Sequence, residues 1–279
     1  MRKLELIREE KLFRLIPGRT RKSRLEASGV ALVDDNTALV VFDNLNHVAR
    51  IDLSFQGPDR NRLFAAPSLG SGFEDIAVDI KHGRAFGLIE SVEDFDGALR
   101  GYVAEYDLDG HFVQCVRLPG EFQKANKGFE GLSHSRHGGR EYLYALCEAN
   151  FGKATKARGR IDVFARASDG TWRLSHQIRL TKRAQFDDYA ALSYRDHRVA
   201  IVSQESQRLW VAHLHKKTHA VIPGSEAVYR FPSRSYSSVE GIDWLSEDTL
   251  VAVSDRKKKQ HPAKCGKKDQ SIHIFRIPR

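Results

Sequence analysis

The feature that most limits what this chain can become is a phrase it repeats. Phe73-Glu74-Asp75-Ile76, Phe129-Glu130-Gly131-Leu132 and Val239-Glu240-Gly241-Ile242 share one pattern, an acid at the head of a hydrophobic run. The first two glutamates stand about 55 residues apart and the last two about twice that, so a further unit is due midway. Near that place, Tyr189-Ala190-Ala191-Leu192-Ser193 matches Phe129 to Ser133 in type, with alanine where the acid would be. One step upstream of Glu74 lies Ser28-Gly29-Val30. Each phrase is followed about 15 to 18 residues later by a second acid: Asp43, Glu90, Glu148, Glu205 and Asp255. Five units of roughly 53 residues carry one two-acid plan, and a unit of that size buries its apolar face only by stacking on its neighbours.

Within each unit, short alternating runs are cut by turn residues, the pattern of antiparallel strands. In the second unit the runs are Ile76 to Ile80, Arg84 to Ile89, Gly101 to Leu108 and Phe112 to Leu118. Lys81-His82-Gly83 and Asp107-Leu108-Asp109-Gly110 supply the hairpin turns. No segment has a helical period. The fifth unit offers only Gly241 to Leu245, Thr249 to Ser254 and Ser271 to Ile277, and the N-terminal run Leu4 to Leu15 is the obvious donor of its missing strand. Pairing the two chain ends removes the last exposed edge. The expected fold is all-β: a five-bladed β-propeller read as a single domain over 1–279. Its blades fall approximately at 24–67, 68–120, 121–181, 182–232 and 233–279, with strand 4–15 closing the ring. Six blades with one degenerate unit is the rival, but no stretch is left over to build it.

A hydrophobic content of 41% supports a real core. No apolar run nears the ~20 residues that span a bilayer, so no membrane partner is expected. The start, Met1-Arg2-Lys3-Leu4-Glu5-Leu6, lacks the apolar stretch of a signal peptide. Cys115, Cys147 and Cys265 show no paired spacing, which suits a reducing compartment better than a disulfide framework or a zinc site. A cytoplasmic location is therefore expected. The net charge of +9 favours anionic partners.

In a propeller blade the loop before strand one and the loop after strand two open on the same face, and both acids of every unit map there. Strand one is innermost, which places Ser28, Glu74, Glu130 and Glu240 around the channel mouth. Asp43, Glu90, Glu148, Glu205 and Asp255 form a ring outside it. Converging carboxylates cannot all stay charged without a cation, so either some are protonated or a metal compensates them. Hard oxygen ligands suit Ca²⁺ first and Mg²⁺ or Mn²⁺ second. The plainer alternative is that these glutamates bond blade amides or channel waters and hold the ring together. His134, His137, His213, His215 and His219 map to the opposite face or to strand surfaces, and His261 with Cys265 lacks two further ligands for zinc.

The five-fold plan, with Phe-Glu-Gly-Leu in the middle unit and Val-Glu-Gly-Ile in the last, resembles the soluble calcium-dependent apyrases. Those are five-bladed nucleotidases with Ca²⁺ in the channel. It is also similar to the broader phytase-like and esterase-like bacterial propellers. The apyrases supply one ligand per blade in the order serine, glutamate, glutamate, serine, glutamate, and this chain offers Ser28, Glu74, Glu130, Ala190 and Glu240. Ala190 departs from the pattern, which leaves that position to a backbone carbonyl, a water, or Asp187 or Asp188. The resemblance implies a metal-centred propeller more firmly than nucleotide hydrolysis.

Basic loops share that face. Arg256 to Gln270 holds seven lysines and arginines, and Lys127, Lys153, Arg158 and Arg183 lie in neighbouring loops. A cationic rim around an acidic, metal-bearing centre suits a phosphorylated or otherwise anionic small molecule. Two functions follow. One is a Ca²⁺-dependent hydrolase of a phosphoric ester or anhydride, with Glu90, Glu148 or Glu205 as base and with Asp43, Asp255, Lys127, Lys153, Arg158 and Arg183 binding the ligand. The other is a non-catalytic propeller that binds an anionic ligand or partner around a structural metal. Nucleic acid is possible as a partner but not favoured, because only Phe95, Phe151, Phe186, Tyr189 and Tyr236 are placed to stack on bases.

Overall fold

The turn residues and alternating runs fold into short strands joined by hairpins. The computed structural model describes residues 1–69, 72–124, 127–147, 159–259 and 263–278. Strand β1 (Glu5–Lys11) precedes a single helical turn, α1 (Leu12–Leu15). The first blade is β2 (Ala27–Asp34), β3 (Thr37–Phe42), β4 (Leu45–Asp52) and β5 (Arg62–Ala65). The second is β6 (Asp75–Asp79), β7 (Arg84–Glu93), β8 (Leu99–Asp107) and β9 (Phe112–Arg117). The third is β10 (Phe129–His137), β11 (Arg140–Cys147), β12 (Arg160–Arg166) and β13 (Trp172–Arg179). The fourth is β14 (Ala191–Arg195), β15 (Arg198–Ser203), β16 (Arg208–His213) and β17 (Ala227–Arg230). The fifth is β18 (Val239–Trp244), β19 (Thr249–Ser254) and β20 (Ser271–Arg276).

Each blade is a four-stranded antiparallel sheet in chain order, and β1 completes the fifth beside β20. Its register runs from Glu5 opposite Arg276 to Lys11 opposite Ser271. This is the expected five-bladed propeller with its ends zipped together. The closing strand is shorter than the expected run to Leu15, because Leu12 and Leu15 turn helical. Three residues apart on a helical turn, they share one face, and both are fully buried. Ahead of β1, Lys3 makes a parallel bridge with Arg230, so the N-terminal segment also grips the outer strand of blade four.

The core lies between blades rather than within them. Along β3, Val40 and Phe42 face blade five, where they join Val251, Val253 and Ile272. Leu39 and Val41, on the other side of the same strand, join Phe73, Ile76 and Ala85 of blade two. This is why the second strands read as nearly unbroken apolar runs: both faces are covered.

At least one side-chain hydrogen bond crosses every blade junction along the innermost strands. The Ser28 hydroxyl donates to the Phe73 carbonyl, and Asp75 accepts the Leu132 N–H at 2.7 Å. Ser133 Oγ accepts the Tyr194 N–H at 3.0 Å, and Ser193 donates to Asp243 at 2.7 Å. Asp243 accepts the Leu32 N–H at 2.8 Å and closes the circle. The inner strands approach so closely that a Cβ on Gly131 would lie 2.6 Å from the Leu192 nitrogen, and one on Gly241 2.8 Å from the Gly29 Cα. That contact is the physical reason for glycine after Glu130 and Glu240.

Candidate functional site

The repeated acids sit where the inner strand of each blade carries one residue too many. Ala27 and Gly29 pair with Phe42 and Val41, which leaves Ser28 as the extra residue of a β-bulge. Glu130 and Glu240 are extra in the same way, between Phe129 and Gly131 and between Val239 and Gly241. In blade two, the Glu74 N–H bonds the Leu88 carbonyl while Asp75 already stands opposite Leu88. Ala190 does the same against Val202 in blade four. A bulge re-aims the side chain at the end of a ladder, and here three bulges and the two matching strand heads converge on one place.

That place is a cavity of about 250 Å³ lined by Ser28, Glu74, Glu130, Ala190 and Glu240. Asp43 and Glu205, expected in a ring outside the mouth, line the same cavity, and Asp188 supplies an acid beside Ala190. Lys258 and Gln204, which the sequence reading did not single out, complete the wall. The opposite end of the channel is lined mainly by aliphatic side chains, among them Val30, Leu32, Ile76, Val78, Leu132 and Leu192. The two ends therefore differ in chemistry.

Burial pushes Glu74 well above the usual carboxylate range, and the charges of Asp43, Glu90 and Glu240 add to it while Lys258 opposes. Burial likewise pushes Glu240 up to about 7, against Lys258 and a hydrogen bond from Gln204. Asp43 is raised by burial, again opposed by Lys258. Asp255, just outside, is pushed to about 9 by burial and by Glu240. The Lys258 ammonium lies 3.2 Å from Glu240 and 3.8 Å from Asp255. One ammonium faces several acids, whose values are raised first by burial and then by one another's charges. The donors are hard oxygens without imidazole or thiolate, which fits the calcium and magnesium class. At about 30 Å³ for each water of bulk liquid, the cavity has room for an ion with several waters.

The other expected residues are placed as follows. The Glu90 carboxylate accepts the Gly128 N–H at 2.9 Å and lies outside the cavity wall, although its charge reaches Glu74. Asp255 accepts the Arg256 N–H and also lies outside it. Arg183 donates to the Glu226 carbonyl at 3.1 Å, and neither it nor Lys127 lines the cavity. Glu148, Lys153 and Arg158 lie outside the described residues, as do Phe151 and His261. Asp75 and Asp243 tie neighbouring blades together, and Glu240 also accepts a hydrogen bond across a blade junction, from Gln204.

Two further clusters lie away from this mouth. Asp79, His134 and Glu141 present ligand atoms within 4.8 Å of one another, a grouping that could hold a metal ion. Arginines already serve these acids: Arg136 reaches Asp79 at 3.0 Å and Glu141 at 2.8 Å, and Arg84 reaches Asp79 at 3.1 Å. Arg166 pairs with Glu105 alongside at 2.9 Å. Burial works to raise Asp79, and the Arg136 hydrogen bond and the His134 charge outweigh it, holding the acid near 2. His219 meets His176 and His137 at ring-centroid distances of 4.6 and 5.0 Å. Burial and those neighbouring rings lower it to about 4, and its Nδ1 lies 3.2 Å from the Tyr144 hydroxyl.

No known family model matches the sequence, and no curated protein does. Among solved structures, the glutaminyl cyclase of Myxococcus xanthus is similar with a TM-score of 0.55 and 12% identity, covering 100% of this chain and 98% of that one. The PQQ-bound aldose sugar dehydrogenase of Streptomyces coelicolor gives 0.52 and 14%, over 96% and 98%. A putative glucose dehydrogenase of Thermus thermophilus gives 0.52 and 10%, over 96% and 99%. At these identities the likeness is one of fold.

Proposed function

We propose that the acidic channel mouth binds a divalent cation, calcium in first place and magnesium or manganese in second. Ser28, Glu74, Glu130 and Glu240 would hold it, with Asp188 standing in at the blade where Ala190 offers no oxygen. The observation that carries this reading is the convergence of the strand heads of five blades on one cavity whose six carboxyl groups, Asp43, Glu74, Glu130, Asp188, Glu205 and Glu240, share a single ammonium, Lys258. When bound, the cation would polarise a phosphoryl group and lower the pKa of a water. We further infer that the mouth hydrolyses a phosphoric ester or anhydride of an anionic small molecule. Of the three candidate bases, Glu205 is favoured because it lines the cavity and is exposed to incoming water, whereas Glu90 is held by a backbone N–H. Lys258 stands ready to hold an anionic oxygen once a cation takes its share of the acids.

One observation favours a second, non-catalytic reading. Lys258 and Gln204 both already donate to Glu240 Oε1, so an anion could be received by a site whose acids are partly neutralised without any metal.

The cation is tested by thermal unfolding with and without calcium. The wild type is expected to gain about 2.7 kcal/mol when free calcium is a hundredfold above its Kd. Glu130→Gln, which keeps the size and deletes the charge, should lose most of that gain. Asp35→Asn, an exposed change at the other end of the channel, should keep it. If Glu130→Gln responds like the wild type, or if EDTA leaves the wild type's melting unchanged, there is no cation site here. Hydrolysis is then read on a panel of nucleotides, phytate and simple phosphate esters with calcium present, and no turnover across it leaves the binding reading.

A further inference from the structure

A cavity of about 680 Å³ lies beside the acidic mouth and shares Glu205 with it. Four separate segments build it. The N-terminal segment brings Lys3, and the β15–β16 hairpin brings Arg208. The crossover from β17 to β18 brings Arg230 and Arg234, and the short 3-10 turn Ala263–Lys267 brings Lys264. Five cations thus face one carboxylate. None of the five makes an ion pair among the described residues, whereas the arginines between blades two and three each reach an acid.

The groove is also held in shape. The Leu4 N–H bonds the Arg230 carbonyl at 2.8 Å, and the Arg230 N–H bonds that of Arg2 at 3.0 Å, which fixes the N-terminal segment against the crossover. Cys265, next to Lys264 and buried, accepts the Ser237 hydroxyl at 2.8 Å and approaches the Arg234 carbonyl at 3.5 Å. The lysine-rich loop of blade five therefore divides its charges. Lys258 faces the mouth and Lys264 faces the groove, while Lys268 is committed to Glu9.

Like charges gathered on a pinned framework repel one another until a counterion arrives, and guanidinium forks match phosphate oxygens in pairs. A single-charge anion would leave most of the groove uncompensated. We propose that the groove between blades four and five is the subsite for the phosphate chain of a multiply phosphorylated small molecule, whose other end reaches the channel mouth past Glu205. This rests on the mouth being the reacting centre. Glu205, the one acid in the groove's wall, marks the boundary and keeps the phosphate chain on the cationic side.

The test is calorimetric titration of the whole chain with sodium tripolyphosphate in EDTA, with orthophosphate alongside. Tripolyphosphate is expected to bind at least tenfold more tightly than orthophosphate. The pair Arg208→Gln with Arg230→Gln should weaken it at least tenfold. Lys216→Gln with Lys217→Gln removes equal charge from an exposed turn at the far end of blade four and should stay within twofold. The proposal is overturned if both double variants weaken binding equally, or if orthophosphate binds as well as tripolyphosphate. It is also overturned if a mixed-sequence single-stranded oligonucleotide binds more tightly than tripolyphosphate through the same arginines. The groove variant should keep the calcium response, and Glu130→Gln should keep tripolyphosphate binding, so loss of one reading is distinguishable from loss of the other.

Discussion

At Glu74 and Asp75 two adjacent carboxyl groups meet different surroundings. Asp75 is fully buried and accepts the N–H groups of Leu132 at 2.7 Å and Ile76 at 2.8 Å. Glu74 faces the cavity, where the acids of neighbouring blades crowd it. Their substitutions should therefore diverge. Asp75→Ala strands a buried N–H and is expected to lower stability by about 1–3 kcal/mol, with the calcium response of the remaining folded protein intact. Glu74→Gln removes a crowded buried charge and is expected to raise the melting temperature at pH 8 in EDTA while abolishing the response to calcium. Melting curves with and without calcium decide both, and a Glu74→Gln that keeps the response would remove Glu74 from the cation site.

Among the elements, β1 does more than fill an edge. It covers β20 along a ladder from Glu5 to Lys11. Its Glu9 meets Lys268 and lies 3.3 Å from the fully buried His273. The His273 hydrogen bond holds Glu9 near 2, with Lys268 helping, against the opposing effect of burial. Deleting residues 1–11 would bare an unpaired strand edge and leave His273 and Lys268 without their acid. The truncated chain is expected to elute as aggregate in size-exclusion chromatography. A monomer with the wild-type melting temperature would show that the ring holds without its closing strand.

Across the whole molecule, two groups of acids respond to pH in opposite directions. At the mouth, Glu240 is raised from 4.5 to about 7. The unfolded chain gives up that proton first, so stability is greatest at low pH and falls as pH rises through this window. Between blades two and three, Asp79 and Glu141 are held near 2. Their contribution is present above the unfolded values of 3.8 and 4.5, and is lost as pH falls toward 2. In EDTA the melting temperature is therefore expected to peak at about pH 5 and to be lower at pH 8. Calcium, which binds the deprotonated acids, should restore far more at pH 8 than at pH 5. A metal-free profile that rises steadily from pH 5 to pH 8 would contradict the electrostatics of the mouth.

The spacing of Glu74, Glu130 and Glu240, with Ser28 one step upstream and Ala190 at the intervening position, sufficed to read five blades, an end-to-end closure and one face bearing the acids. A repeat too small for its own core leaves few other ways to bury its apolar strands. The same periodicity showed which residues stand at the strand heads, and the structure brings Ser28, Glu74, Glu130, Ala190 and Glu240 to one cavity. It could not show that Asp75 and Asp243 tie the ring, because their partners Leu132 and Leu32 are backbone groups on other blades. Nor could it place Lys258 in the mouth, or gather Lys3, Arg208, Arg230, Arg234 and Lys264 around one groove. Repeat position records what every blade has in common. Which loop charges meet depends on how irregular segments from different blades cross one another, and only tertiary packing sets that.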